Sequence, residues 1–282
     1  MKEAIRILSL AQPRYPDLAL PSWVPAWDKS LESTTLTGLH PHPIRDQLYR
    51  TAASSPPYIK IGATGNSHTL VIHGVAFQHV AFVGHDHWAK YRHEHIETTV
   101  LMLMLDVRMF GQLIGAYPTG ELVKDVLWKT LTLNQYSNTV SMIGGFLTGL
   151  PHDHIMASVS AARKFFERAT DFGNNPATRD FATVQNFNAA KVAFGVIGGT
   201  LRGWKFAILT GGYVGMVPIT AQKSDLIVII SGARTPYVVR NMAGTWDPIR
   251  YRLVGECYIH GIMQGEIFDN GMSLDWEDLH LV

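Results

Sequence analysis

Glu256 and His260 stand four residues apart in Tyr251-Arg-Leu-Val-Gly-Glu-Cys-Tyr-Ile-His-Gly-Ile-Met-Gln-Gly-Glu266. A carboxylate and an imidazole in an apolar run are candidates for proton transfer, and each needs a hydrogen-bond partner if buried. Leu253, Cys257 and Ile259 fall on one parity and Tyr258 and His260 on the other, the period of a half-buried strand. On one strand Glu256 and His260 share a face about 13 Å apart, too far to touch. The plainer reading is that each anchors a neighbouring loop.

The second cluster is Gly84-His-Asp-His-Trp-Ala-Lys-Tyr-Arg-His-Glu-His-Ile-Glu97, with four histidines and three acids. A His-x-His pair on a strand points both rings one way, and His95-x-Glu97 with a distant histidine suits a non-haem iron triad. The segment reads more simply as the start of a helix, where residues two apart diverge, with Lys90, Tyr91 and Arg92 making a wet face. Leu150-Pro-His-Asp-His154 reads as a histidine-rich turn with Asp153 as a helix cap. No metal and no cofactor is expected, and a His-rich metal-dependent enzyme stays as a second alternative.

Arg234 and Arg240 flank a proline-broken strand. Either binds an anionic group through its planar fork, or pairs with Glu256 or Asp225. Trp23, Trp27, Trp204 and Trp246 are core anchors or the walls of an apolar pocket. Cys257, the only cysteine, sits in a strand interior and is expected to be inert; alone it forms no internal disulfide. There is no Gly-x-Ser-x-Gly elbow, phosphate loop or Gly-x-Gly-x-x-Gly.

The elements that must hold these residues follow from pattern. Hydrophobic residues make up 46% of the 282 and charged residues 17%, enough apolar side chain for a large core. A net charge of +1 argues against a nucleic-acid binder. The N-terminus lacks a signal-peptide run, and the apolar stretch Thr99 to Leu105 is broken by Asp106 and Arg108, so a cytoplasmic, soluble protein is expected. Residues 1–12 suit a short amphipathic helix ended by Pro13. Residues 29–47 suit a loop. Residues 58–83 suit strands joined through Ala63-Thr-Gly-Asn-Ser-His68. Ile96, Val100, Leu103 and Val107 form a helical stripe, Leu122 to Leu131 a second helix and Ser158 to Phe172 a third, stopped by Asn174-Asn-Pro. Residues 137–151 give no clear pattern. From Trp204 the chain is β again, with a hairpin at Gly211-Gly-Tyr-Val-Gly and a strand buried on both faces at Ser224 to Ser231.

Several of these stretches resemble the fungal heterokaryon-incompatibility (HET) family. The motif of residues 251–266 departs from the family's closing motif only at Ile259 and Gln264. Leu20-Pro-Ser-Trp-Val-Pro-Ala-Trp27 is similar to a family segment in which an acid replaces Ala26. The order of the Gly-Tyr turn, Asp225-Leu-Ile-Val-Ile-Ile-Ser-Gly-Ala-Arg-Thr-Pro-Tyr-Val-Val-Arg240 and the closing motif is also the family's. The resemblance is dense over 204–282 and moderate over 18–30 and 58–76. It implies the C-terminal half of such a protein, standing without the family's N-terminal TIR-like domain.

The expected fold is α+β: a mostly antiparallel β body built from N- and C-terminal strands, with a helical insertion at about 90–185, all one domain over 1–282. The expected function is a HET-like enzyme of fungal secondary metabolism, a cofactor-independent cyclase of the pericyclase or Diels-Alderase kind. It would act on an apolar terpenoid or polyketide. Such chemistry needs a shaped apolar cavity and one or two hydrogen-bond donors rather than acid–base machinery. Arg234, His260, Glu256 and Tyr213 are the catalytic candidates, and Trp23, Trp27, Trp204, Tyr258 and Met263 the substrate-binding ones. The expected partner is an apolar small molecule, with no nucleic acid, no membrane and a homo-oligomer left open. The alternative from another class is a partner-recognition module of an incompatibility protein.

Overall fold

The computed structural model describes residues 21–25, 49–52, 55–61, 69–87, 96–134, 151–170, 184–242, 248–269 and 275–282, with positions 5, 8, 9, 11, 36 and 244. Trp27, Trp246, His93, His95, most of the 29–47 loop, the 63–68 connector, the residues 137–150 and the Asn174 stop lie outside them. The chain groups into two compact units, residues 1–83 with 206–282, and residues 84–205.

The first unit is a sheet. Its strands are β1 (Ile59–Ile61), β2 (Leu70–Val83), β3 (Trp204–Leu209), β4 (Val214–Pro218), β5 (Leu226–Ile230), β6 (Tyr237–Asn241), β7 (Arg250–Glu256), β8 (Tyr258–Ile259) and β9 (Glu277–Leu281). They run in the order β5-β6-β7-β9-β2-β3-β4-β8, with β1 beside β2. The fold is the α+β architecture expected, mostly antiparallel and built from both ends of the chain; β7 and β9 pair in parallel through Arg250 with His280 and Tyr251 with Leu281.

β2 is the strand that closes the unit. At 14 residues it outreaches its neighbours and serves several in turn. Leu70 to Gly74 pair with β9, Gly74 to His79 with β5, and Val80 to Val83 with β3. Because β5 already leads through β6 and β7 to β9, the β2–β5 pairing closes a ring of five strands. Closure removes the open edges that a flat sheet would present. Gly74 sits where β2 passes from one partner to the other, and a Cβ there would come within 2.7 Å of Leu279.

The ring encloses Ile72, Val228, Ile230, Tyr237, Val239, Leu253, Leu279 and Leu281, joined by Ile5, Leu8 and Ala11 of the N-terminal segment. All five residues of β5 are buried, as its unbroken apolar run predicts. Each such side chain contributes about 1.5–3 kcal/mol on leaving water.

β7 does not continue evenly into β8. Val238 faces Gly255 and Val239 faces Leu253, which leaves Val254 as an extra residue in a bulge. Gly255 takes φ +147°, a value that side chains with a Cβ resist. Cys257 then leaves the ladder, its N–H bonding Pro236 O at 2.9 Å.

The second unit is helical: α1 (Ile96–Leu113), α2 (Val123–Leu131), α3 (His152–Ala169) and α4 (Val184–Thr200). A short helix, α5 (Glu266–Asp269), belongs to the first unit. The expected stripe of α1 is buried, with Met104, Phe110 and Gly111 added. α3 begins at His152 after Pro151, without the side-chain cap expected of Asp153. Phe165, Phe187 and Phe194 pack together, Phe187 stacked on Phe194 at 6.3 Å between centroids. Among the described residues no helix is long and apolar enough to cross a membrane.

Candidate functional site

The residues of the closing motif are brought close in the first unit, and those from Leu253 to His260 are all buried. Glu256 is 3% exposed. Its Oε1 accepts the Leu36 N–H and its Oε2 the Thr235 hydroxyl at 3.3 Å. It therefore fastens a segment 220 residues away in sequence to the end of β7. A buried carboxylate costs free energy unless such donors satisfy it.

His260 shares no strand with Glu256: the bulge and the break at Cys257 place it in the turn after β8. Its N–H bonds Val214 O at 2.9 Å, and its Nδ1 shares a hydrogen bond with the Tyr258 hydroxyl at 3.0 Å. Tyr258 is fully buried and meets Tyr49 edge-on at 5.9 Å. Met263 is buried beside them, its Sδ accepting the Ile259 N–H and its carbonyl the Arg50 N–H. Tyr213 meets Phe77 edge-on at 5.2 Å; burial raises the pKa of its hydroxyl, and the charge of Glu266 adds to this.

Trp23 is half-buried against the barrel core. Trp204 is 2% exposed at the start of β3. Arg234 is half-buried before β6, and its carbonyl accepts the Thr51 N–H. Arg240 takes the pairing left open from sequence: its Nε and Nη2 grip Asp225 at 2.7 and 2.9 Å, and Nη2 also reaches Thr220 O. Burial pushes the Cys257 thiol well up, with the charge of Glu256 adding to the effect. A thiol so raised is a poor nucleophile.

A groove of about 600 Å³ is found instead in the second unit, lined by Glu121, Leu122, Asp125, Trp128, Lys129 and Arg163. Its charges are matched within it, Lys129 with Glu121 and Arg163 with Asp125, and Arg163 lies over the Trp128 ring at 5.6 Å. None of the catalytic or substrate-binding candidates named from the sequence lines it.

One constellation is only half legible in the sequence. His85 and His87 lie in irregular chain and a bend rather than the helix expected, and both reach Asp106 of α1. In the sequence Asp106 reads only as a break in an apolar run. The signal that finds it is a charged residue on the buried side of an amphipathic helix, four residues before Phe110.

Comparison with known proteins bears on the rest. Residues 181–282 match the family described as the Het-6 beta-barrel domain. Over 82 residues the chain is 39% identical to the heterokaryon incompatibility protein 6, OR allele, of Neurospora crassa. That alignment takes in 29% of this chain and 12% of the relative's length. No solved structure matches. The expected cyclase of secondary metabolism is overturned: both matches lead to heterokaryon incompatibility, and neither leads to terpenoid or polyketide chemistry. The physical reason for the error is that tryptophans, tyrosines and methionines fill a core as readily as they line a cavity. Tyr258, Met263 and Trp204 are all packed below 5% exposure. The matches and the motif of residues 251–266 together make the C-terminal part of this chain an HET-family C-terminal region.

Proposed function

We propose that the chain is a partner-recognition region of a heterokaryon-incompatibility-type protein, and that what it recognises is another polypeptide. The observation that carries this reading is the match of residues 181–282 to the Het-6 beta-barrel domain. The relative's name, an allele of an incompatibility protein, fits a role in telling partners apart. Exposed apolar side chains on α1 support this reading. Met102, Leu105 and Leu113 are 51%, 58% and 60% exposed. Leu105 lies opposite the buried stripe of α1, and Met102 and Leu113 lie to one side of it on the face of Asp106. Exposed apolar side chains of this kind are suited to burial against a protein partner.

The test is native mass spectrometry of the tagged full chain from a filamentous fungal host, followed by reconstitution with the identified partner. The expected result is one polypeptide bound in fixed ratio. It should re-form from purified components and be lost on Leu105→Asp with thermal stability kept. A chain that stays bare, or that carries an apolar metabolite, overturns the reading.

A further inference from the structure

Asp106 is 7% exposed, yet it lies on the inward side of α1 among apolar residues. Three groups from the segment before the helix converge on it. The His85 N–H donates to Oδ2 at 3.0 Å. His85 Nδ1 lies 3.0 Å from Oδ1, and His87 Nε2 lies 2.7 Å from Oδ2. The approach is tight by construction. A Cβ on residue 84 would fall 3.0 Å from the Phe110 ring and 3.2 Å from Asp106 Oδ2, so glycine is what lets the turn lie against the helix.

We propose that His85, His87 and Asp106 form a binding site for a divalent transition-metal ion such as zinc. The three ligand atoms all lie within 4.8 Å of one another. Metal–ligand bonds of about 2.0–2.2 Å set tetrahedral ligands about 3.3 Å apart, so the change needed is small. Two imidazoles and a carboxylate are the donor set that zinc and ferrous iron take. A metal would take the place of the ring-to-carboxylate contacts now made by His85 Nδ1 and His87 Nε2. The hydrogen bond from the His85 backbone keeps one carboxylate oxygen oriented, as outer contacts do around metal ligands.

The two histidines differ in access. The His85 side chain is 78% exposed and that of His87 is 8% exposed. One side of the site therefore faces water, leaving a fourth position for a solvent molecule or for a ligand from a partner. The site lies wholly within residues 84–205, so it stands whether or not the recognition reading does.

The experiment uses the tag-free full chain, stripped with a chelator and titrated with Co²⁺ and then Zn²⁺. The expected result is one equivalent bound, with the intense visible bands of four-coordinate Co²⁺, and a Tm raised by Zn²⁺. His85→Ala should weaken binding at least tenfold, with a small fall in the metal-free Tm for the lost ring hydrogen bond to Asp106. His87→Ala should do the same to affinity, and His280→Ala should do nothing. Two results overturn the proposal: no stoichiometric binding by the wild type, or binding that survives both His85→Ala and His87→Ala. In either case the trio is a hydrogen-bonded brace and no more.

Discussion

Tyr237 shows how a single polar atom in the barrel core makes stability depend on pH. The side chain is 2% exposed, and its hydroxyl shares a 2.8 Å hydrogen bond with Ser9. Burial pushes its ionisation far above the usual tyrosine range, with the charge of Glu256 adding to the shift. The unfolded chain releases this proton near pH 10, and the folded chain holds it. A folded value raised in this way gives stability that is whole below about pH 9. It is lost as pH climbs past 10, by up to about 1.4 kcal/mol per unit. Tyr237→Phe has no proton to lose. At pH 7 the variant should be about 1 kcal/mol less stable, for the lost hydrogen bond. In urea unfolding that gap should close or reverse between pH 9 and 11, and a gap constant with pH refutes the argument. At this scale the sequence shows which residues are charged but seldom whom they meet. Arg240 could be matched to Asp225 because Asp225 immediately precedes β5 and Arg240 lies on its neighbour β6. The partner of Glu256 could not be guessed, since Leu36 lies in a stretch that reads as loop.

Helices and strands are legible in proportion to how one-sided they are. The stripe of α1 and the apolar faces of α3 repeat at helical spacing, and β5 is apolar throughout. α4 escapes such reading because Val184-Gln-Asn-Phe-Asn-Ala-Ala-Lys-Val-Ala-Phe-Gly-Val-Ile-Gly-Gly-Thr200 is apolar nearly all round and rich in glycine, which leaves no stripe. The bulge at Val254 is hidden too, because one extra residue reverses every later side chain while the sequence keeps its alternation. α4 is held by a contact that gives it a test. The Ser158 hydroxyl of α3 donates to Ala189 O at 2.8 Å and accepts the Ala193 N–H at 3.1 Å. It thus stands between the two groups that an α-helix joins directly. Ser158→Ala leaves a buried N–H and a carbonyl to find each other by tightening the helix. The expected cost is about 1–2 kcal/mol in chemical denaturation, near that of one buried hydrogen bond. An unchanged midpoint means that α4 closes its own bond and that Ser158 merely fits beside it.

The matched family span, residues 181–282, supplies β3 to β9, but the ring also needs β2 from residues 70–83. The sequence makes this sharing legible, because a strong β-strand before the helices has no partner of its own apart from three residues of β1. The topology explains how the helical unit is accommodated. Val83, the last residue of β2, pairs with Ala207 near the start of β3, so residues 84–205 leave and return at adjacent points of one antiparallel pair. An antiparallel pair needs only a two-residue turn to join its strands, and Asn-Gly has the backbone freedom that turn requires. Replacing residues 85–205 by Asn-Gly should therefore leave the five-stranded ring intact. The shortened chain is expected to show strand-type circular dichroism, one cooperative unfolding transition and slow amide exchange in β5, the strand held on both sides by β2 and β6. Residues 206–282 alone should not fold, since without β2 both β5 and β9 become open edges. If the shortened chain is unfolded or aggregated, the barrel depends on the helical unit for its stability. If residues 206–282 fold without β2, strand closure is not what holds the barrel together.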